Sequence, residues 1–65
     1  MVAKQILNNC NQKFLVRFKD FNSGNQVYFG QLEELERIQD KAYRRLKERQ
    51  IKDFYIENGI LILWV

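Results

Sequence analysis

The chain has 65 residues, of which 46% are hydrophobic and 14% aromatic, which suits one small domain over residues 1–65 and leaves no room for a second. Its 11 Lys and Arg residues against 8 Asp and Glu give a formal charge of +3, a mildly basic balance that many proteins without nucleic-acid partners share. Histidine is absent and Cys10 is the single cysteine, which excludes an internal disulfide, a multi-cysteine zinc site and a Ser/His or Cys/His catalytic pair.

Two features of the sequence bear on its location. The longest unbroken apolar run, Ile60 to Val65, is far shorter than the roughly 20 residues of a membrane-spanning helix, and no signal-peptide pattern opens the chain. A single cysteine also fits a reducing compartment. We therefore predict a cytoplasmic protein with no membrane contact.

The first segment, residues 1–12, is the least certain part of the chain. Val2, Ile6, Leu7 and Cys10 have spacings compatible with one helical stripe, but three asparagines at positions 8, 9 and 11 soon interrupt it. A short helix, a strand and an extended arm all remain open.

A first β-hairpin is predicted from residue 13 to residue 29. Phe14, Val16 and Phe18 alternate with more polar residues, which indicates a half-buried strand. The sequence Asn-Ser-Gly-Asn at residues 22–25 is typical of a turn, and residues 26–29 form a short returning strand that Gly30 ends.

The period then changes to that of a helix, from Gln31 to about Gln50. Acidic residues lie near its start and basic residues near its end, as the helix dipole favours. Apolar residues recur at steps of three or four: Leu32, Leu35, Ile38, Ala42, Tyr43 and Leu46.

The last segment predicts a second hairpin. Asn58-Gly59 is the commonest two-residue type I′ turn, because both residues tolerate a positive φ. The resulting register pairs Ile56 with Leu61 and Tyr55 with Ile62, and it leaves apolar side chains on both faces of the hairpin.

These elements predict an α+β fold of ββαββ order, in which a three- to four-stranded, mainly antiparallel sheet packs one face on a single central helix. The strand order stays open, with the second and third strands either parallel or separated. The predicted core consists of Phe14, Val16, Phe18, Phe29, Leu32, Leu35, Ile38, Leu46, Phe54, Ile56, Leu61 and Leu63.

The face of the sheet that points away from the helix is the first candidate site. Aromatic and apolar side chains beside Arg and Lys are typical of protein interfaces, although such a surface can also stack nucleic-acid bases. Cover by the N-terminal segment, through Val2, Ile6 and Leu7, is a third interpretation. The predicted partner-binding residues are Arg17, Lys19, Tyr28, Tyr55, Ile60, Ile62 and Trp64.

The second candidate is the basic end of the predicted helix, which could contact the phosphates of a nucleic acid. A solvated helix end favoured by the dipole explains the same pattern equally well. Its residues are Lys41, Arg44, Arg45, Lys47 and Arg49.

No catalytic, metal or cofactor site is predicted. The acidic residues Glu33, Glu34, Glu36 and Asp40 spread around a helix surface without a calcium-binding loop, and the three glycines do not form a phosphate-binding loop. We therefore expect no enzymatic activity and no cofactor.

The ββαββ layout resembles small single-helix sheets found among phage-encoded inhibitors and accessory subunits of larger machines, a resemblance of layout only. It implies a non-enzymatic protein that docks on a larger protein and modulates it. An exposed edge strand could add pairing with that partner, or with a second copy to form a homodimer.

Overall fold

The structure is a computed structural model that describes the backbone of residues 1–65 and every side chain except those of Ala42 and Arg44. The fold is α+β, as predicted. Its elements are α1 Ala3–Leu7, β1 Leu15–Lys19, β2 Gln26–Gln31, α2 Leu32–Arg37, α3 Lys41–Arg44, a 3-10 turn Leu46–Glu48, β3 Asp53–Glu57 and β4 Ile60–Trp64.

The sheet has four strands in the order β2-β1-β4-β3, and it is mixed because β1 and β4 are parallel. The β1–β2 and β3–β4 pairs are antiparallel, as the two predicted hairpins require. The parallel pair was not predicted. Strand β4, which has no charged residue, lies in the interior of the sheet. Strands β2 and β3 form the edges of the sheet, where the glutamines of β2 and the acidic residues at the ends of β3 are accessible to water.

The second hairpin is confirmed. Asn58 and Gly59 have φ values of 54° and 77°, and the register pairs Ile56 with Leu61 and Tyr55 with Ile62. The turn chemistry of two residues therefore fixes the pairing of the two strands on either side of it.

The predicted continuous helix from Gln31 to Gln50 is wrong. Residues 38–40 are not helical, and Ile38 has an extended backbone with ψ of 127°. A straight helix of 20 residues would be about 30 Å long, whereas the longest dimension of the molecule is 27 Å. Breaking the helix lets Leu35 and Leu46 both reach the core, where they are 3% and 1% exposed.

The uncertain N-terminal segment contains the helix α1, which packs on the same side of the sheet as the other helical segments. Ala3 and Leu7 are buried in the core, and the Ala3 amide donates to the Arg49 carbonyl at 3.0 Å. We call this side of the sheet the inner face. The predicted alternative, in which the N-terminal segment covers the opposite face, is therefore wrong.

The core lies between the inner face and these helical segments. Seven predicted core residues are buried: Val16, Phe18, Leu32, Leu35, Leu46, Leu61 and Leu63. Phe14 and Ile38 pack against them while partly buried, and Ala3, Leu7, Tyr28 and Val65 complete the core. The prediction was wrong for Phe29, Phe54 and Ile56, which are exposed.

The side chains of β2 lie on the faces of the sheet opposite to those predicted. Tyr28 pairs with Phe18 and shares its face, so Tyr28 is buried and Phe29 lies on the other side. A register irregularity between Phe18 and Lys19 accompanies this arrangement. Gly30 does not end the strand but lies within it, where the Tyr28 hydroxyl occupies the space that a Cβ would need.

Candidate functional site

The face of the sheet opposite the helices forms the candidate site, and we call it the outer face. The register places its side chains in rows across the strands, so that Arg17 lies between Phe29 and Ile62 and Lys19 lies beside Trp64. Asp53 and Glu57 lie at the β3 margin of the same face. The outer face consists of Leu15, Arg17, Lys19, Phe29, Tyr55, Ile60, Ile62 and Trp64.

The structure brings together six of the seven predicted partner-binding residues on this face. Tyr28 is the exception, because it is 8% exposed and belongs to the core. Ile62 has the predicted position but is only 4% exposed, since it lies in the interior of the sheet with Arg17 and Tyr55 as its neighbours across the strands. Ile62 therefore fills the centre of the outer face and offers little area to a partner.

Two aromatic residues of this region were missed by the sequence analysis. Phe29 was assigned to the core. Phe21 is 56% exposed and its ring contacts the Trp64 ring edge to face, with centroids 6.4 Å apart. The alternation of Leu15, Arg17 and Lys19 continues to position 21, so the parity of the strand could have identified Phe21.

The cations of the outer face lie over its aromatic rings. Lys19 Nζ is 4.5 Å from the centroid of the Trp64 ring, and Arg17 Cζ is 4.8 Å from that of Phe29. Contacts of this kind contribute about 0.5–1 kcal/mol when exposed to solvent. The Trp64 indole N–H also donates to the Tyr55 hydroxyl at 3.1 Å. These contacts order the large side chains before any partner arrives, which lowers the entropy cost of binding.

The outer face carries two cations, Arg17 and Lys19, both in strand β1. Within the part of the chain that the structure describes, neither Arg17 nor Lys19 forms an ion pair. The Arg17 Nε atom is buried there without a hydrogen-bond acceptor. The outer face therefore presents two cations that are available for pairing, next to aromatic surface and with Asp53 and Glu57 at one margin.

The basic residues of the second candidate site lie on three different segments. Lys41 belongs to α3, Arg45 follows it, and Lys47 lies in the 3-10 turn. Lys47 Nζ forms a salt bridge of 2.8 Å with Glu36 Oε1. Lys41, Arg45 and Arg49 are exposed, and the side chain of Arg44 lies outside the described residues. The predicted basic end of one long helix is thus replaced by basic residues on consecutive short segments.

Other chemistry has little support in the structure. In the described part of the chain, no group of three or more His, Cys, Asp or Glu residues could hold a metal ion. Cys10 is half-buried, and its thiol lies 3.5 Å from the Ile6 carbonyl, to which it donates a weak hydrogen bond. No helix of the described chain combines the length and apolar character needed to cross a lipid bilayer.

Comparison with known proteins does not identify a family. The chain matches no protein-family model, and neither a search of curated proteins nor a search of solved structures finds a match.

Proposed function

We propose that this protein binds a larger partner protein through its outer face and modulates that partner by occlusion or recruitment, without catalysing a reaction. The supporting observation is that, among the described residues, no helix covers this face, and Phe29 and Tyr55 are 43% and 39% exposed on it. Large exposed aromatic side chains are costly in an isolated protein and favourable at an interface. The small size of the chain and its single cysteine suit a cytoplasmic inhibitor of the kind that phages encode.

The side chains of the outer face suggest the chemistry of the partner. Apolar surface around Trp64 and Leu15 matches an apolar patch, and the unpaired Arg17 and Lys19 match acidic side chains next to that patch. Burying either cation without a counter-charge would cost more than the contact contributes. We therefore expect a partner surface with acidic side chains opposite Arg17 and Lys19 and apolar surface around them.

Several observations favour a protein over a nucleic acid. Lys19 and Arg17 lie over the rings of Trp64 and Phe29, so a base that stacked on those ring faces would displace a cation. The carboxylates Asp53 and Glu57 on the same face would repel phosphates. The alternative, binding through the helix end, is weakened because its basic residues do not share one continuous helix and because Lys47 forms a salt bridge with Glu36.

The experiment compares the same substitution on the two candidate sites. The wild-type protein, Arg17→Glu and Arg45→Glu are immobilised and exposed to nuclease-treated lysate, and the captured protein is identified and purified. Both variants change the net charge equally. Arg17→Glu alters the outer face, while the exposed Arg45 tests the basic helical segments. Phe29→Ser, at a 43% exposed position, provides a second outer-face variant, and circular dichroism checks that each variant is folded.

Titration of the purified partner, followed by Trp64 emission, gives the affinities. We expect Arg17→Glu and Phe29→Ser to weaken binding at least about tenfold, equivalent to 1.4 kcal/mol, and Arg45→Glu to change it little. If Arg45→Glu weakened binding and the outer-face variants did not, and if binding required nucleic acid or fell steeply with rising salt, nucleic-acid binding would replace this proposal. A Trp64 emission that changes with protein concentration alone would identify the occupant as a second copy.

A further inference from the structure

A second surface, which adjoins the outer face, lies where β3 forms an edge of the sheet. Both apolar side chains of β3 that point to the inner face are exposed, Phe54 at 46% and Ile56 at 65%. Between them and α1 runs an open groove of about 610 Å³. Its lining includes Ile6, Cys10, Phe14, Phe54, Ile56 and Leu61, together with Tyr55 from the margin of the outer face.

The backbone of β3 has hydrogen-bonding groups that β4 does not use. Glu57 and Ile60 flank a two-residue turn, so Glu57, Tyr55 and Asp53 direct their backbone groups toward β4. Phe54 and Ile56 consequently direct theirs away from the sheet. The Phe54 N–H is bonded by its neighbour, since it donates to Asp53 Oδ1 at 2.8 Å. The edge therefore offers the Ile56 N–H and the carbonyls of Phe54 and Ile56 to an added strand. The added strand would compete with the Asp53 carboxylate for the Phe54 N–H.

The charges of β3 disfavour pairing with a second copy of the same strand. In the antiparallel register that pairs the full length of β3 with itself, Asp53 faces Glu57 of the other copy at both ends. Like charges directly opposite each other destabilise a strand pair. The same two carboxylates attract a strand that carries basic residues at these positions, so the charge pattern selects a different chain over a second copy.

We propose that the β3 edge binds an extended segment of a partner protein by strand addition. The segment would run antiparallel to β3, with apolar side chains opposite Phe54 and Ile56 that extend into the groove. Basic side chains would lie opposite Asp53 and Glu57 on the outer side of the sheet. This surface meets the outer face at Asp53 and Glu57, but the backbone pairing and the groove do not depend on whether that face binds a partner.

The probe is a blocked peptide containing Lys-Val-Thr-Val-Lys, in which the valines face the groove and the lysines face the carboxylates. A peptide with glutamates in place of both lysines and one with N-methylated valines are the controls. Because one added strand buries little surface, we expect affinities near the millimolar range, which nuclear magnetic resonance titration detects. The single thiol, Cys10, lines the groove and gives a second readout through its rate of alkylation.

The lysine peptide should shift resonances of residues 53–57, slow exchange of the Ile56 amide hydrogen and slow alkylation of Cys10. It should bind at least about tenfold more tightly than the glutamate peptide at low salt, an expected difference of 1.4 kcal/mol. In the Asp53→Asn/Glu57→Gln variant this preference should largely disappear while the fold is kept, because Asn retains an acceptor for the Phe54 amide.

Three results would overturn the proposal. One is the absence of any change at residues 53–57 at millimolar peptide. Another is equal binding of the N-methylated peptide, which cannot form the backbone pairing. The third is protection of the Ile56 amide by raised protein concentration without peptide, which would identify a second copy as the occupant. Ile56→Thr should reduce peptide binding, and Leu15→Thr, a similar change at a 38% exposed position of the outer face, should not.

Discussion

Replacing Gly30 with alanine tests how β2 and the core fit together. In a strand, alanine usually stabilises by about 0.5–1 kcal/mol relative to glycine, because the unfolded chain has less freedom to lose. Here a Cβ would lie 2.8 Å from the Tyr28 hydroxyl oxygen and 3.2 Å from its Cζ. The hydroxyl cannot withdraw freely, since Tyr28 is buried and donates to the Gln31 carbonyl at 2.9 Å. We therefore expect Gly30→Ala to destabilise by about 1–3 kcal/mol, as overpacking of a core does.

Urea unfolding followed by Trp64 emission and circular dichroism measures this effect in Gly30→Ala, Tyr28→Phe and the double variant. Phenylalanine removes the oxygen at 2.8 Å, so the double variant should lose about 1 kcal/mol less than the sum of the single variants. A stabilising Gly30→Ala, or effects that simply add, would show that the Tyr28 ring does not lie over Gly30 and would refute this account of the strand.

Three further predictions concern the turn of the second hairpin, the buried Tyr28, and the difference between a buried and an exposed apolar residue of the sheet. Gly59→Ala should cost about 1–2 kcal/mol in urea unfolding, because φ is +77° and no atom crowds the position, so the backbone alone sets the cost. Burial, with the Glu34 carboxylate second, raises the pKa of Tyr28 above its ordinary value of about 10. Neutral Tyr28 therefore contributes its full stability below a pH of about 10, and this contribution is lost as pH rises through the raised pKa. The urea midpoint of Tyr28→Phe should not show this loss. Leu63→Ala, at a fully buried position, should cost about 2–5 kcal/mol, whereas Ile56→Ala, 65% exposed, should change stability by less than about 1 kcal/mol in the same assay.

Local signals in the sequence predicted the parts of the fold that local physics determines. The φ requirement of Asn58 and Gly59 fixed the second hairpin and its register without reference to the rest of the molecule. Alternation of side chains in β1 correctly assigned Val16 and Phe18 to the core and Arg17 to the outer face. The period of two is a property of the strand itself, so a single sequence reveals it.

The errors concern features that depend on distant parts of the chain. The helical period continues through Ile38, but the backbone there is extended, and an unbroken helix would be longer than the molecule. Tyr28 and Phe29 are both aromatic, and the face that each occupies is set by pairing with β1 across a loop. Ile62 was placed correctly, but its low exposure results from side chains on neighbouring strands. The candidate site was therefore predictable as a face, but not in its membership or in the accessibility of each residue.

The uncovered apolar residues of β3 connect the fold to the proposed site of strand addition. Four strands place the axes of β2 and β3 about 14 Å apart, and a helix with its side chains is about 10–12 Å wide. The helical segments pack against side chains of β1, β2 and β4, and Phe54 and Ile56 stay exposed at the margin. Polar residues at these two positions would satisfy the fold equally well, because they contribute little to the core. Their apolar character, between two carboxylates at an unpaired edge, is explained by a binding partner better than by folding.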